Sequence, residues 1–386
     1  MRLREATLHS LSIPFRESFV HGTKERATSD ALIVRIVTED GVVGHGEGLA
    51  RPYVTGETAF SVRQRIRDVL WPALRGTEVP DVVPMELIDV VGDLLGHSEP
   101  TPEEQRGGVI AHHAARCAVE LAVLDAALRT VGRSLGDALP PRVSTVRYGG
   151  VIGLVSRDTS VRLARRIRAL GLGDCKIKVG DEGSLARVRA VRETLGADVA
   201  LRVDANGVWG LKEAIDEIGA MTEWGIEGVE EPLARERRHE LPELIERIDV
   251  PVILDESLVT AEDARDAARF GGSVVPDLRL SKCGGVGPSL ALARIARDAG
   301  QDFIIGCQVG ETAILSAAGR HLAAHLADPL RVEGSYGTLL LTEDLVEHDI
   351  RFGSGGHAPL LDGPGLGVEV VEERLDRYTV DREVLR

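Results

Sequence analysis

The chain has 386 residues, 43% of them hydrophobic and 28% charged, and a net charge of −15. That composition is ordinary for a globular protein, and the length fits one barrel of roughly 200–250 residues plus a second unit. The negative balance argues against nucleic acid or an anionic membrane surface as partner. No apolar run approaches the roughly 20 residues that span a bilayer. Met1-Arg-Leu-Arg-Glu-Ala-Thr7 lacks the apolar stretch of a secretory leader. Cys117, Cys175, Cys283 and Cys307 are scattered and form no CxxC pair, which suits a reducing compartment. These features predict a soluble cytoplasmic protein.

Residues 1 to about 50 read as β-rich. Residues 31–38 predict a strand, Glu39-Asp-Gly41 a tight turn and residues 42–47 the return strand. Residues 57–75 and 109–130 carry helical spacing, the second ending near Gly132. From about residue 142 the texture becomes strand–helix alternation. Strands are predicted at 143–149, 174–179, 199–204, 228–231, 250–255, 274–280, 303–307 and 330–333, with helices between them such as Ser184–Leu195 and Leu211–Trp224. The tail after 340 is turn-rich and predicted to return to the first unit. The expected architecture is α/β: an α+β capping domain over 1–132, a (β/α)7β modified TIM barrel over 133–338, and a segment over 339–386 that completes the cap.

Asp204, Glu230 and Asp255 each close a short apolar run, at intervals of 26 and 25 residues. One strand, one helix and two loops fill such an interval, so each acid falls at the C-terminal end of a successive parallel strand, where barrels build their sites. Three carboxylates meeting there call for a cation, and all-oxygen ligation suits Mg²⁺, with Mn²⁺ as a substitute. On the preceding strand stands Lys176-Ile-Lys178. Residues i and i+2 share a side, so both ammonium groups face the barrel mouth. A lone KxK is more often a solvated face; here apolar neighbours and the following acids argue otherwise. A lysine tuned by a second cation and a metal ion can act as a base near neutral pH. The set describes removal of a proton beside a carboxylate, with Lys178 as base, Lys176 as helper and Asn206 as an orienting hydrogen-bond partner.

The motifs Cys175-Lys-Ile-Lys-Val-Gly180, Arg202-Val-Asp-Ala-Asn-Gly207, Val229-Glu-Glu-Pro232, Asp255-Glu-Ser257 and Ser281-Lys-Cys-Gly-Gly285 together resemble the enolase superfamily, in its muconate lactonizing enzyme subgroup. Asp40-Gly-Val-Val-Gly-His-Gly-Glu47 resembles the capping-domain hairpin of that family. The resemblance implies Asp204, Glu230 and Asp255 as metal ligands, with Glu231 and Glu256 behind them. It also implies a small carboxylate substrate and a homo-oligomer. Phe19, His21 and Gly22 match a lid loop of the family, and Tyr53-Val-Thr55 a second lid segment.

One position departs from the pattern: Arg279 stands where the subgroup carries a second lysine on the sixth strand. Lys282 is three residues on, an odd offset that predicts an outward or loop position. Arginine is a poor base but can stabilise an enediolate or hold a carboxylate. One-base chemistry is therefore expected, either cycloisomerisation or elimination. The alternatives are a racemase or epimerase of amino-acid derivatives or dipeptides, an o-succinylbenzoate synthase-like dehydratase, and a non-catalytic carboxylate-binding relative. Glu311 and Glu333, at the exits of the seventh and eighth strands, either orient substrate or serve structure. His112 and His113 diverge on a helix and are expected on its surface.

Overall fold

The computed structural model describes residues 1–21, 24–96 and 99–386. The cap is an antiparallel sheet in the order Thr379–Leu385, Leu3–Leu11, Leu32–Thr38, Val43–Gly48. The tail thus supplies an edge strand, as expected. Against the sheet lies the helix His113–Thr130, which is buried on nearly every side. Its fit comes from small residues on both partners. A β-carbon at Gly44, Gly46 or Gly48 would run into the backbone of Ala122, Ala118 or Ala114. The glycine alternation in residues 43–48 is therefore a packing surface for a helix whose enclosed sides also include the acids Glu120 and Asp125.

Eight parallel strands form the barrel, in chain order Gly150–Ile152, Asp174–Lys178, Ala200–Asp204, Val229–Glu230, Val252–Leu254, Val274–Leu278, Ile304–Ile305 and Arg331–Val332. We call them strands one to eight. The Gly149 N–H donates to Val332 O at 2.9 Å and joins the two ends. The predicted first strand at 143–149 is displaced. Thr145–Arg147 pairs instead with His357–Pro359 of the tail, and the barrel strand begins at Gly150. Glycine is needed there because a β-carbon at Gly149 would strike Asp174 and one at Gly150 would crowd Ile167. Helices Ser184–Leu195, Leu211–Thr222, Ala261–Ala268, Val286–Asp298 and Ala313–Leu326 fill the crossovers. Among the described residues no helix is long and apolar enough to cross a membrane.

Buried carboxylates staple the cap to the barrel. Glu47 accepts from Thr312 N at 2.8 Å, Thr312 Oγ1 at 2.7 Å and Leu315 N at 2.9 Å, at the start of helix Ala313–Leu326. Glu120 accepts from Val286 N and Gly287 N, at the start of helix Val286–Asp298. Both satisfy orphan N–H groups at a helix N-terminus. Burial pushes both carboxyls up to about 7. Gly285, at φ +117°, admits Glu120, which a β-carbon would exclude. These helices follow strands six and seven, so the cap is fixed on that side of the barrel mouth.

Candidate active site

Lys176 and Lys178 point into the barrel from strand two, both almost fully buried. Lys176 Nζ lies 2.8 Å from Glu230 Oε1, 2.9 Å from Glu333 Oε1 and 3.8 Å from Asp204 Oδ2. Burial opposes its charge, but Glu230, Glu333 and Asp204 together hold it well above the ordinary lysine range. Lys178 Nζ donates to Asp204 Oδ2 at 2.8 Å and to Asn206 Oδ1 at 2.6 Å. The parallel register explains the meeting, since Lys178 lies beside Asp204, and Asp204 beside Glu230. Asn206 holds a left-handed backbone, φ 46°, and donates its own N–H to Asp204 Oδ1 at 3.0 Å. Its Nδ2 donates to Glu256 Oε1 at 3.1 Å, so Oδ1 is fixed toward the lysine. Asparagine tolerates that backbone better than most residues.

Strand six sends in a different pair. Asp277 and Arg279 share its inner side, as positions i and i+2 must. The Arg279 guanidinium rests on Asp255, with Nε 3.4 Å from Asp277 Oδ2 and a terminal nitrogen 3.5 Å from Glu230 Oε1. Burial works against its charge, but Asp255 and Asp277 raise it well above the ordinary arginine range. The group is a permanent cation.

Lys282 overturns its expected outward position: it is fully buried. Its Nζ lies 3.1 Å from Asp255 Oδ1 and donates to the carbonyls of Asp255 at 2.9 Å and Asp277 at 2.5 Å. The strand ends at Leu278, and Leu280–Cys283 is one helical turn capped by Gly284 at φ 97°. Alternation therefore fails beyond Arg279, and the turn swings Lys282 inward behind Asp255.

The carboxylate oxygens of Glu230, Asp255 and Asp277 lie within 4.8 Å of one another. Burial first, and Asp204 second, push Glu230 well above the carboxylate range. Crowded buried acids of this kind are what a divalent cation relieves, and an all-oxygen donor set fits a hard ion. Sequence reasoning misses Asp277 as a member of the cluster; its signal is the i, i+2 relation to Arg279. Glu231, at φ 42°, stands behind the cluster and accepts from Asp255 N at 2.8 Å and Ser257 N at 3.0 Å. Burial raises its carboxyl to about 7.

Other expected residues divide. Glu333 is tied to Lys176 and Arg202 and, despite burial, is held down to about 2 by those cations, so it anchors the barrel interior. Glu311 accepts from Gln308 N at 2.6 Å, and burial raises it to about 8. Tyr53 is 40% exposed. The side chains of Phe19 and His21 lie outside the described residues, as does all of Gly22. His112 and His113 are not on a surface: His112 is buried 3.2 Å from Glu104, and His113 Nδ1 meets Lys282 O at 2.7 Å. Helix His113–Thr130 is enclosed by cap and barrel, which removes the exposed face assumed for them.

Residues 159–374 match the family described as "Enolase C-terminal domain-like", and residues 5–139 the "Mandelate racemase / muconate lactonizing enzyme, N-terminal domain". The chain belongs to the mandelate racemase/muconate lactonizing enzyme family of the enolase superfamily. It is 30% identical over 326 residues to the hydrophobic dipeptide epimerase of Enterococcus faecalis, covering 84% of this chain and 87% of that one. It is 29% identical to muconate cycloisomerase 1 of Rhodococcus opacus, covering 96% of each. The crystal structure of the Enterococcus faecalis dipeptide epimerase complexed with Mg and L-Leu-L-Tyr superposes with a TM-score of 0.83 at 29% identity, over 96% of this chain and all of that one. Membership makes this chain an enolase-superfamily enzyme, and its relatives include both epimerases and cycloisomerases.

Proposed function

We propose that this enzyme removes the α-proton of a small carboxylate through Lys178 alone, and completes a cycloisomerisation or elimination with the same lysine. The asymmetry of the two sides of the site carries the reading. In an eight-stranded barrel, strands two and six face each other. On one side Lys178 is held by single contacts to Asp204 and Asn206. On the other, Arg279 is locked among Asp255, Asp277 and Glu230. Arginine does not give up its proton near neutral pH.

Asp204, Glu230 and Asp255 would hold a Mg²⁺ ion, which when bound offers positive charge to the substrate carboxylate. Neutral Lys178 takes the proton as the Cα–H bond breaks, and the electron pair moves into the carboxylate system to give an enediolate. Asn206 aims Lys178 through Oδ1. Lys176 stays charged beside Glu230 and Glu333. Arg279 adds fixed positive charge on the far side. In an elimination, the pair then expels a group from the neighbouring carbon, and protonated Lys178 supplies that group's proton.

The test is α-proton exchange in D₂O with Mg²⁺ and a panel of carboxylates. Exchange with retained configuration, or product formation, is expected; exchange with inversion would replace this reading by epimerisation. A second reading, epimerisation with Glu311 carrying the second proton, is favoured by one observation. Glu311, at the exit of strand seven, has its carboxyl raised to about 8, within reach of a proton-transfer role. The epimerase relatives fit it.

A further inference from the structure

The turn that follows strand six is held from outside the barrel. Leu280–Cys283 carries Lys282, and the cap grips this segment at successive points. Leu49 N, at the end of the cap sheet, donates to Ser281 Oγ at 2.9 Å. His113 Nδ1, in the first turn of helix His113–Thr130, lies 2.7 Å from Lys282 O. Glu120, about two turns further along the same helix, accepts from Val286 N and Gly287 N. Of these three contacts, the one made by His113 falls on the residue that reaches the site.

His113 is fixed through both its backbone and its ring. Beside it, Ala114 N and Ala115 N donate to the buried Glu57 at 2.8 Å and 3.2 Å. The imidazole lies on Gly284, where a β-carbon would come within 3.1 Å of Cδ2 and 3.3 Å of Cγ. Gly284, at φ 97°, thus ends the helical turn and also seats the ring. A carbonyl oxygen only accepts, so Nδ1 carries the hydrogen. Burial lowers the ring to about 4, so near neutral pH the donor is the uncharged Nδ1–H tautomer. Its acceptor is one of the terminal carbonyls that a helical turn leaves without a partner of its own.

From Lys282 the contacts run on to the acid cluster. Lys282 Nζ donates to the carbonyls of Asp255 and Asp277, and so ties the end of strand five to strand six. It also stands 3.1 Å from Asp255 Oδ1, while Arg279 rests on Oδ2. Both Asp255 oxygens are buried, and neither accepts a hydrogen bond among the described residues, which fits a ligand for a hard cation.

We infer that His113 is a positioning residue of the metal site: the cap helix sets the turn, the turn sets Lys282, and Lys282 sets Asp255. The inference rests on the proposed role of Asp255 as a metal ligand, and on no step of the reaction. It makes the cap part of the metal site, although every proposed ligand comes from the barrel. Groups behind the ligands orient them, and losing one commonly costs about 10- to 100-fold in metal affinity. His113 stands one contact further back, so the lower end of that range is expected.

The experiment measures Mg²⁺ binding to the metal-depleted full chain by calorimetry, without substrate. It compares wild type with His113→Asn, His113→Gln, His113→Leu and Glu120→Gln. Asparagine presents an N–H as many bonds from the backbone as Nδ1; glutamine places its amide one bond further out, and leucine has no donor. Mg²⁺ affinity should fall about tenfold in the glutamine and leucine variants and stay near wild type in the asparagine variant. Glu120→Gln loosens the cap on the same segment without touching Lys282. It should lower the denaturant midpoint and leave Mg²⁺ affinity unchanged. Unchanged affinity in His113→Leu, no rescue by asparagine, or an equal loss in Glu120→Gln would make His113 a packing residue and overturn the inference. Should the leucine variant not fold, the glutamine and asparagine variants decide it in the same way. A wild type that binds no Mg²⁺ overturns it as well. If Mg²⁺ binding depends on His113 but no carboxylate exchanges its α-proton, the proposed reaction fails and this inference stands. Exchange by wild type, with wild-type Mg²⁺ affinity in His113→Leu, supports the reaction and overturns the inference.

Discussion

Strands two and six each send an i, i+2 pair of charged side chains into the barrel, and the pairs behave differently. Strand two carries Lys176 and Lys178; strand six carries Asp277 and Arg279. On strand two the deeper residue, Lys176, takes the heavy electrostatic duty against Glu230 and Glu333. That leaves Lys178 with one carboxylate, Asp204, and one amide, Asn206. On strand six the deeper residue is an acid, and it locks the outer cation in place together with Asp255. Below them Lys282 fills the space behind Asp255 with a second fixed charge. One side of the site carries a lightly held lysine, the proton carrier of the proposed reaction, and the other a cation fixed among carboxylates.

The comparison is broken most directly at Lys178. Lys178→Met should lower turnover by about 10²–10⁴-fold, the usual worth of a positioned acid–base group, with the fold intact by circular dichroism. A variant retaining most activity would remove the mobile side altogether. The fixed side is probed by Lys282→Met, which leaves Asp255 buried with one cation fewer. Breaking a buried pair costs about 3–5 kcal/mol, read as a lower denaturant midpoint at unchanged slope. An unshifted midpoint would show that Arg279 alone balances Asp255. Arg279→Lys should lower turnover about 10–100-fold, because a single ammonium cannot replace contacts to three carboxylates. If inverted product appears in D₂O in that variant, position 279 is what separates one-base from two-base chemistry.

Why one side is legible in the sequence and the other only in part follows from the geometry. The three acids and Lys176/Lys178 fall where regular strands end, so the repeat spacing and the two-residue alternation place them without tertiary information. Lys282 sits just beyond a strand end, where one helical turn replaces extension, and alternation carried past Arg279 gives the wrong face. Asp277 is visible as an inward neighbour of Arg279, but only the packed barrel shows its oxygens beside those of Glu230 and Asp255. The first strand is misplaced by sequence pattern because its signal, Val143 to Tyr148, belongs to the ribbon that Thr145–Arg147 makes with His357–Pro359, while the barrel strand opens on Gly150.

The smallest expected effect concerns whether the fixed side can also move a proton through Glu311. Burial raises its carboxyl from 4.5 to about 8 in the folded chain. A raised acid pKa contributes stability that is fully present below 4.5 and is lost as pH rises toward 8, because the folded state then has to accept a buried charge. Glu311→Gln should therefore flatten part of the stability loss between pH 4.5 and 8, seen in denaturant midpoints taken across that window. Activity supplies the sharper reading. If protonated Glu311 donates on the Arg279 side, turnover of the wild type falls as pH rises through about 8, and the glutamine variant lacks that limb. If the limb survives in the variant, Glu311 takes no part in proton transfer, and Lys178 remains the single proton carrier facing a side that only holds charge.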